Sequence, residues 1–303
     1  MKRSFAFLLT AILALSVAFP EIVFSAVRDS MTYSASNVLP SLFCFMMISK
    51  LIRASGVFSV LYPLFRPLSN LMKMSYYETE CFFAGNLCGF PSGACAVSEL
   101  SCERSSGIDK AAVFAVSNNV SLGFATSFVG ARLFGSVRLG LIIYLSQLIS
   151  AVIICTAVRK RSISPATAAP GSKRLRASEV FCSAVEQSAS SCISLTGYIA
   201  VFSVVAAFWN TLAERLGIAP VISGAVSSLI EITGGIRSIA DTGIIFKVAV
   251  VSFSCAFSGL CVIFQSARYL IKSNVRIINY TFLKLLQGLL SSVISVSVAS
   301  AVL

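Results

Sequence analysis

No histidine occurs among the chain's 303 residues. Its absence removes the side chain that titrates nearest neutral pH and the commonest protein metal ligand, and with it a Ser-His-Asp hydrolase or a histidine-bound metal. Charge is scarce as well: Asp, Glu, Lys and Arg make up 12% of the residues, against roughly 25% in a soluble domain. Acids are scarcer than bases, 12 against 24. So little charge cannot cover the surface of a large soluble protein. Ten cysteines are present without a recurrent metal-type spacing; they lie in apolar stretches, where a free thiol acts as a small hydrophobe. The expectation is no cofactor, no metal centre and no enzymatic activity.

What remains is apolar: 56% of the residues are hydrophobic and the mean hydropathy is +0.88. The expected fold class is an all-α polytopic membrane protein. A spanning helix needs about 20 apolar residues, and seven stretches qualify, at about 4–27, 38–60, 109–130, 137–158, 190–212, 243–266 and 279–302. The first, within "MKRSFAFLLTAILALSVAF", also has the basic start and apolar run of a signal peptide. Its run from Ser4 to Val27, interrupted in charge only by Glu21, is long enough to span and is read as a retained helix.

Two further stretches, about 77–100 and 218–241, are apolar but broken by glycine. The net charge of +12 bears on their topology rather than on a nucleic-acid partner, because the bases cluster between apolar runs. Lys50, Arg53, Arg66 and Lys73 form one cluster, the 159–176 loop a second, and Arg268, Lys272, Arg276 and Lys284 a third. Positive-inside bias puts these three and the N-terminus in the cytoplasm. Both glycine-broken stretches then enter and leave on one side, as re-entrant hairpins. Glu78, Glu80, Glu99, Glu103 and Asp109 read as mostly solvated charges at the mouth of the first, with Glu99 the candidate for a deeper place, and Lys247 as a snorkelling interfacial residue.

The segment 159–178 is a basic linker between two comparable parts, 1–158 and 179–303. Each part runs helix, glycine-broken hairpin, helix with a polar interruption, final helix. The topology makes the two parts opposite in orientation. Backbone that leaves the helix at membrane depth must be buried in protein or line a wet cavity, and inverted repeats with broken helices are the plan of secondary transporters. The polar and flexible residues at the breaks are therefore the candidate site: Asn86, Gly89, Pro91, Ser92, Gly93, Asn118, Asn119 and Ser121 in the first part, and Glu231, Thr233, Gly234, Ser258 and Gln265 in the second. Glu231 stands out, since an ionisable group inside the bilayer costs about 2.5 kcal/mol or more. Two plainer readings stay open: Glu231 as a carboxylate holding hairpin amides, and Asn118–Asn119 as interhelical polar glue.

The motifs "CGFPSGA" at 88–94, "SNN" at 117–119 followed by "FVGARLFGSVRLG", "LIEITGG" at 229–235 and "SGLCVIFQ" at 258–265 resemble the sporulation integral membrane protein family of the nucleoside-recognition (Gate) superfamily. That superfamily is similar to concentrative nucleoside transporters, with two hairpins and two partly unwound helices around the solute. The resemblance implies passage of a small polar or anionic solute, with dipicolinate leaving the mother cell across the outer forespore membrane as the expected case. It implies a multi-pass cell-membrane protein, with the lipid bilayer and a small-molecule solute as partners and with homo-oligomers possible. The chain departs from the family at Cys95, where a lysine is usual, after Asn119, where Val120, Ser121 and Leu122 replace a proline, and at Ile263, where a histidine is common. A nucleoside transporter and a structural or signalling component of spore assembly stand as alternatives.

Overall fold

The computed structural model describes residues 10, 13–100, 107–159, 177–239 and 242–302. All regular structure among them is helical. Helical residues 13–18 lead into α1 (Pro20–Tyr33), a π-helical stretch (Ser34–Val38) and α2 (Leu39–Ser55). The segment expected as a connection between the first two spans is thus continuous helix, with Pro20–Val38 and Leu42–Ser55 bent by 53°. Pro40 sits in the first turn of α2, where its missing N–H is tolerated. The stretch 38–60 ends early, because Gly56 at φ +70° terminates α2.

An amphipathic helix not foreseen in the sequence follows, α3 (Phe58–Leu71), with Pro63 and Pro67 inside it. The first hairpin is α4 (Tyr76–Cys88) and α5 (Ser92–Ser98), with the chain broken at 89–91. Ser75 and Glu78 close the start of α4 as a capping box. The stretch 109–130 is two pieces, α6 (Gly107–Ser117) and a π-helical segment (Phe124–Leu133). α7 (Val137–Val158) matches its expected span and starts on a Ser136 cap.

The linker 159–178 lies outside the described residues except for Arg159 and 177–178. α8 (Ala177–Arg215) contains the 190–212 span and runs 39 residues, about 58 Å at ~1.5 Å per residue. That is roughly twice a hydrocarbon core of about 30 Å, so much of α8 extends beyond it. The second hairpin is α9 (Pro220–Ile230) and α10 (Ile232–Ser238), α11 (Ile244–Phe257) and α12 (Gly259–Lys272) meet at Ser258, and α13 (Ile277–Val302) closes the chain.

Among the described residues, four helical segments are long and apolar enough to cross a membrane: Val137–Val158, Ala177–Arg215, Ile244–Lys272 and Ile277–Val302. The bent pair at 20–55 makes a fifth if taken as one span. Of the other expected spans, 109–130 is divided by its polar break, 38–60 falls largely in the bent pair, and much of 4–27 lies outside the described residues. Polarity is turned inside out relative to a water-soluble helix. α13 buries Tyr280, Lys284, Gln287, Ser291 and Ser295, while Ile278, Phe282, Leu289 and Val293 are 51–70% exposed. α7 likewise buries Gln147 and Ser150 and exposes Leu141, Leu145, Ile149 and Ile153. An apolar outer face is what lipid requires, and polar side chains turned inward find their partners there. The fold is that of an α-helical, multi-pass membrane protein.

Candidate functional site

Each hairpin rests on the break of a helix in its own half. In the first half, a Cβ on Gly93 would lie 1.8 Å from the Ser117 carbonyl oxygen, and one on Gly85 1.9 Å from the same atom. No larger residue lets α4 and α5 approach the end of α6 so closely. Gly89, at φ +80°, turns the chain where a Cβ would meet the Ser121 backbone nitrogen at 2.8 Å. In the second half, Gly259 (φ +64°) packs against the Ser228 and Leu229 carbonyls, and Ser258 takes a left-handed φ of +81°. A non-glycine residue there is strained, and it sits at the kink between α11 and α12.

The four breaks surround one small cavity of about 40 Å³. Phe90 comes from the first hairpin, Val120 and Ser121 from the α6 break, Glu231, Ile232 and Thr233 from the second hairpin, and Cys261 and Val262 from the start of α12. The walls are otherwise apolar. A larger cavity of about 290 Å³ adjoins the same hairpin through Glu231, Thr233, Gly234 and Gly235, and is lined on its far side by Asp29, Ser30, Tyr33, Ser203 and Asn210. Glu231, Thr233 and Ile199 belong to both.

Glu231 is buried and its carboxylate is already engaged. Oε1 accepts from the Thr233 amide at 2.7 Å and Oε2 from the Gly234 amide at 2.6 Å. The plainer reading of Glu231 is the one the geometry matches: it caps its own half-helix, one of the strongest ways to satisfy free amides.

The asparagines stand behind the cavity rather than on its wall. Asn118 accepts from the Ala94 amide at 3.3 Å and donates to Ser266 Oγ at 2.8 Å and Tyr280 OH at 2.9 Å, tying the first hairpin to α12 and α13. Asn119 donates to Asn86 Oδ1 at 2.9 Å and accepts from Gln287 Nε2 at 2.9 Å. Asn86 in turn donates to the Phe82 and Val116 carbonyls. Of the remaining sequence candidates, Gly89 and Pro91 flank the cavity-lining Phe90. Ser92, Gly93, Ser258 and Gln265 do not line either cavity. Gln265 is buried with both side-chain polar atoms lacking a hydrogen-bond partner, as is the hydroxyl of Ser92.

Sequence reasoning missed several buried polar groups. Lys284, grouped with a cytoplasmic basic region, is fully buried beside Asn119. Its signal was present in "TFLKLLQGLL", a lone lysine three residues from a glutamine in an apolar run. Glu78, read as solvated, is buried and clamps Arg159 through two bonds of 3.0 Å, with Asp109 3.7 Å from the same guanidinium. Glu99, the candidate for a deeper place, is exposed and pairs with Arg53 at 3.1 Å. Lys247 does not reach outward: it donates to the Leu133 carbonyl at 2.7 Å and lies over the Phe134 ring. Among the described residues, no group of His, Cys, Asp and Glu is arranged to hold a metal.

No protein-family model, curated protein or solved structure matches the chain.

Proposed function

We propose that the chain is a membrane transporter that passes a small polar solute through the cavity between its four breaks. The observation that supports this most is the convergence of two hairpin turns and two helix interruptions on one space, where non-helical backbone is tolerated because it is enclosed by protein. In this reading 1–158 and 179–303 are inverted-topology repeats that rock about that space, in a cell membrane. The family resemblance makes dipicolinate, exported from the mother cell to the forespore during sporulation, the first solute to test.

A specific observation favours a second solute class. The described residues lining the central cavity include one carboxylate and no basic side chain. A dianion has no counter-charge there, whereas an uncharged ring solute such as a nucleoside meets Phe90, Phe124, Ser121 and Thr233. The deciding experiment is uptake of labelled dipicolinate and labelled uridine, in parallel, by the purified protein in liposomes, beside variants of two residues that line both cavities, Glu231→Gln and Thr233→Val. The reading expects uptake of one solute by the wild type and its loss in both variants, with insertion and folding retained. Unchanged uptake in both variants contradicts the site; no uptake of either solute by folded wild type contradicts both solute assignments.

A further inference from the structure

The first break is closed by a cation that belongs to the chain. α6 stops at Ser117, and a helix end leaves its last carbonyls without intrahelical partners and with a partial negative charge. Lys284 Nζ, fully buried on α13, meets the carbonyls of Ala115 and Asn118 at this end, while that of Val116 is taken by the Asn86 and Asn119 side chains. The ammonium donates to Asn119 Oδ1 at 2.7 Å, to the Asn118 carbonyl at 3.1 Å and to Gln287 Oε1 at 3.1 Å, with the Ala115 carbonyl at 3.5 Å. Among the described residues no carboxylate pairs with it. The neighbours are all neutral oxygens, the donor set that suits a small hard cation. A lone buried charge is costly unless it is fully hydrogen-bonded, and here every proton of an ammonium has an oxygen to meet.

The cage also reaches the cavity. Gln287 donates on to the Gln147 carbonyl, and Gln147 donates to the carbonyl of Val120, a wall residue. Through Asn119 it reaches Asn86, whose carbonyl accepts from Tyr144 OH.

We infer that Lys284 is a tethered counter-cation that fills an oxygen cage at the α6 break, so that the break is held, and solute moves, without a dissolved sodium ion. The second half of that statement rests on the transporter reading above; the first does not. The test is therefore run in two parts. Thermal melting of the purified full chain is followed in sodium, choline and methylammonium chlorides at equal ionic strength, for the wild type and Lys284→Ala. The wild type is expected to melt at the same temperature in all three. Lys284→Ala is expected to melt several degrees lower in choline and to recover in methylammonium or sodium, which enter the vacated cage. Should the variant not survive purification in choline, recovery of folded protein when methylammonium or sodium is present throughout gives the same support. A wild type stabilised by sodium over choline, a variant indifferent to the cation, or a variant that no small cation recovers overturns the cage. In the second part, wild-type liposomes are assayed for uptake with sodium replaced by choline inside and out. Unchanged uptake is expected, and a requirement for sodium overturns the inference. Absence of uptake in both salts counts against the transporter reading and leaves the melting result to decide the cage.

Discussion

At the first break a helix ends, and at the second one begins. The Ala115 and Asn118 carbonyls at the end of α6 face the ammonium of Lys284, whereas the amides at the start of α10 face the carboxylate of Glu231. Each broken end meets a side chain of the opposite sign, as helix dipoles favour, but the source differs. Glu231 comes from the break itself, two and three residues from its partners. Lys284 comes from α13, across the molecule. The first break is therefore held by tertiary structure and the second by local sequence. The comparison also teaches that a glycine-broken hairpin need not leave its partial charges for a solute. Both sets are answered from within, and the cavity between them is left nearly apolar.

The largest expected effect calibrates the comparison with a buried charge that has a full partner. Arg159→Ala, at the end of α7, strands the buried Glu78 of α4, and loss of one member of such a pair costs about 3–5 kcal/mol; the readout is the melting temperature of the purified protein, with Glu78→Gln added to recover part of the loss. Next come the glycines. Gly93→Ala drives a Cβ to 1.8 Å from the Ser117 oxygen, and a backbone that cannot give makes this about 3 kcal/mol, the upper range for overpacking. In the second hairpin Gly234→Ala meets only the Glu231 Oε2 atom, at 3.1 Å, and is expected to fold normally. Equal losses at the two positions would erase the distinction between the hairpins. Lys284→Met takes the donor away from the Ala115 and Asn118 carbonyls, at about 1–3 kcal/mol, a loss expected at hydrogen-exchange resolution to spread over α4, α6 and α13. Glu231→Gln keeps one acceptor and is the mildest, about 1 kcal/mol, as for a lost cap, with exchange rising only within α9 and α10.

Much of the fold was legible. The stretch 137–158 is α7 to the residue, and the two glycine-broken stretches are helix pairs with the turn where the glycine and proline, or the glutamate, interrupt them. These signals are local, carried by apolar runs and by residues that cannot continue a helix. Helix α3 was not foreseen because the basic cluster Lys50, Arg53, Arg66 and Lys73 marks this stretch as a connection between spans; Pro63 and Pro67 lie inside the helix all the same. The bend falls between Val38 and Leu42, where Pro40 kinks the helix, a local signal that the apolar-run reading passed over. Within the site, Glu231 and Thr233 were found as polar residues at a break, and both line the cavity. Lys284 and Arg159 were missed for a different reason. Each stands near a helix end in sequence, where a base is ordinarily solvated, and each finds partners far away along the chain: Asn119 for one, Glu78 for the other. Only the packing of α13 on α6, and of the end of α7 on the first hairpin, brings those groups inside.

The central claim is that solute passes through the cavity bounded by the four breaks. Val262 lines that cavity and carries no hydrogen-bonding group in its side chain, so Val262→Phe narrows the space without touching the polar networks. The most direct measurement is uptake by liposomes containing the wild type or Val262→Phe, with the solute the wild type carries, after both proteins are shown to melt alike. The account predicts uptake by the wild type and a loss of tenfold or more, on the order of 1.4 kcal/mol, in the variant. Equal uptake by the two would mean that the solute travels elsewhere, and would contradict it.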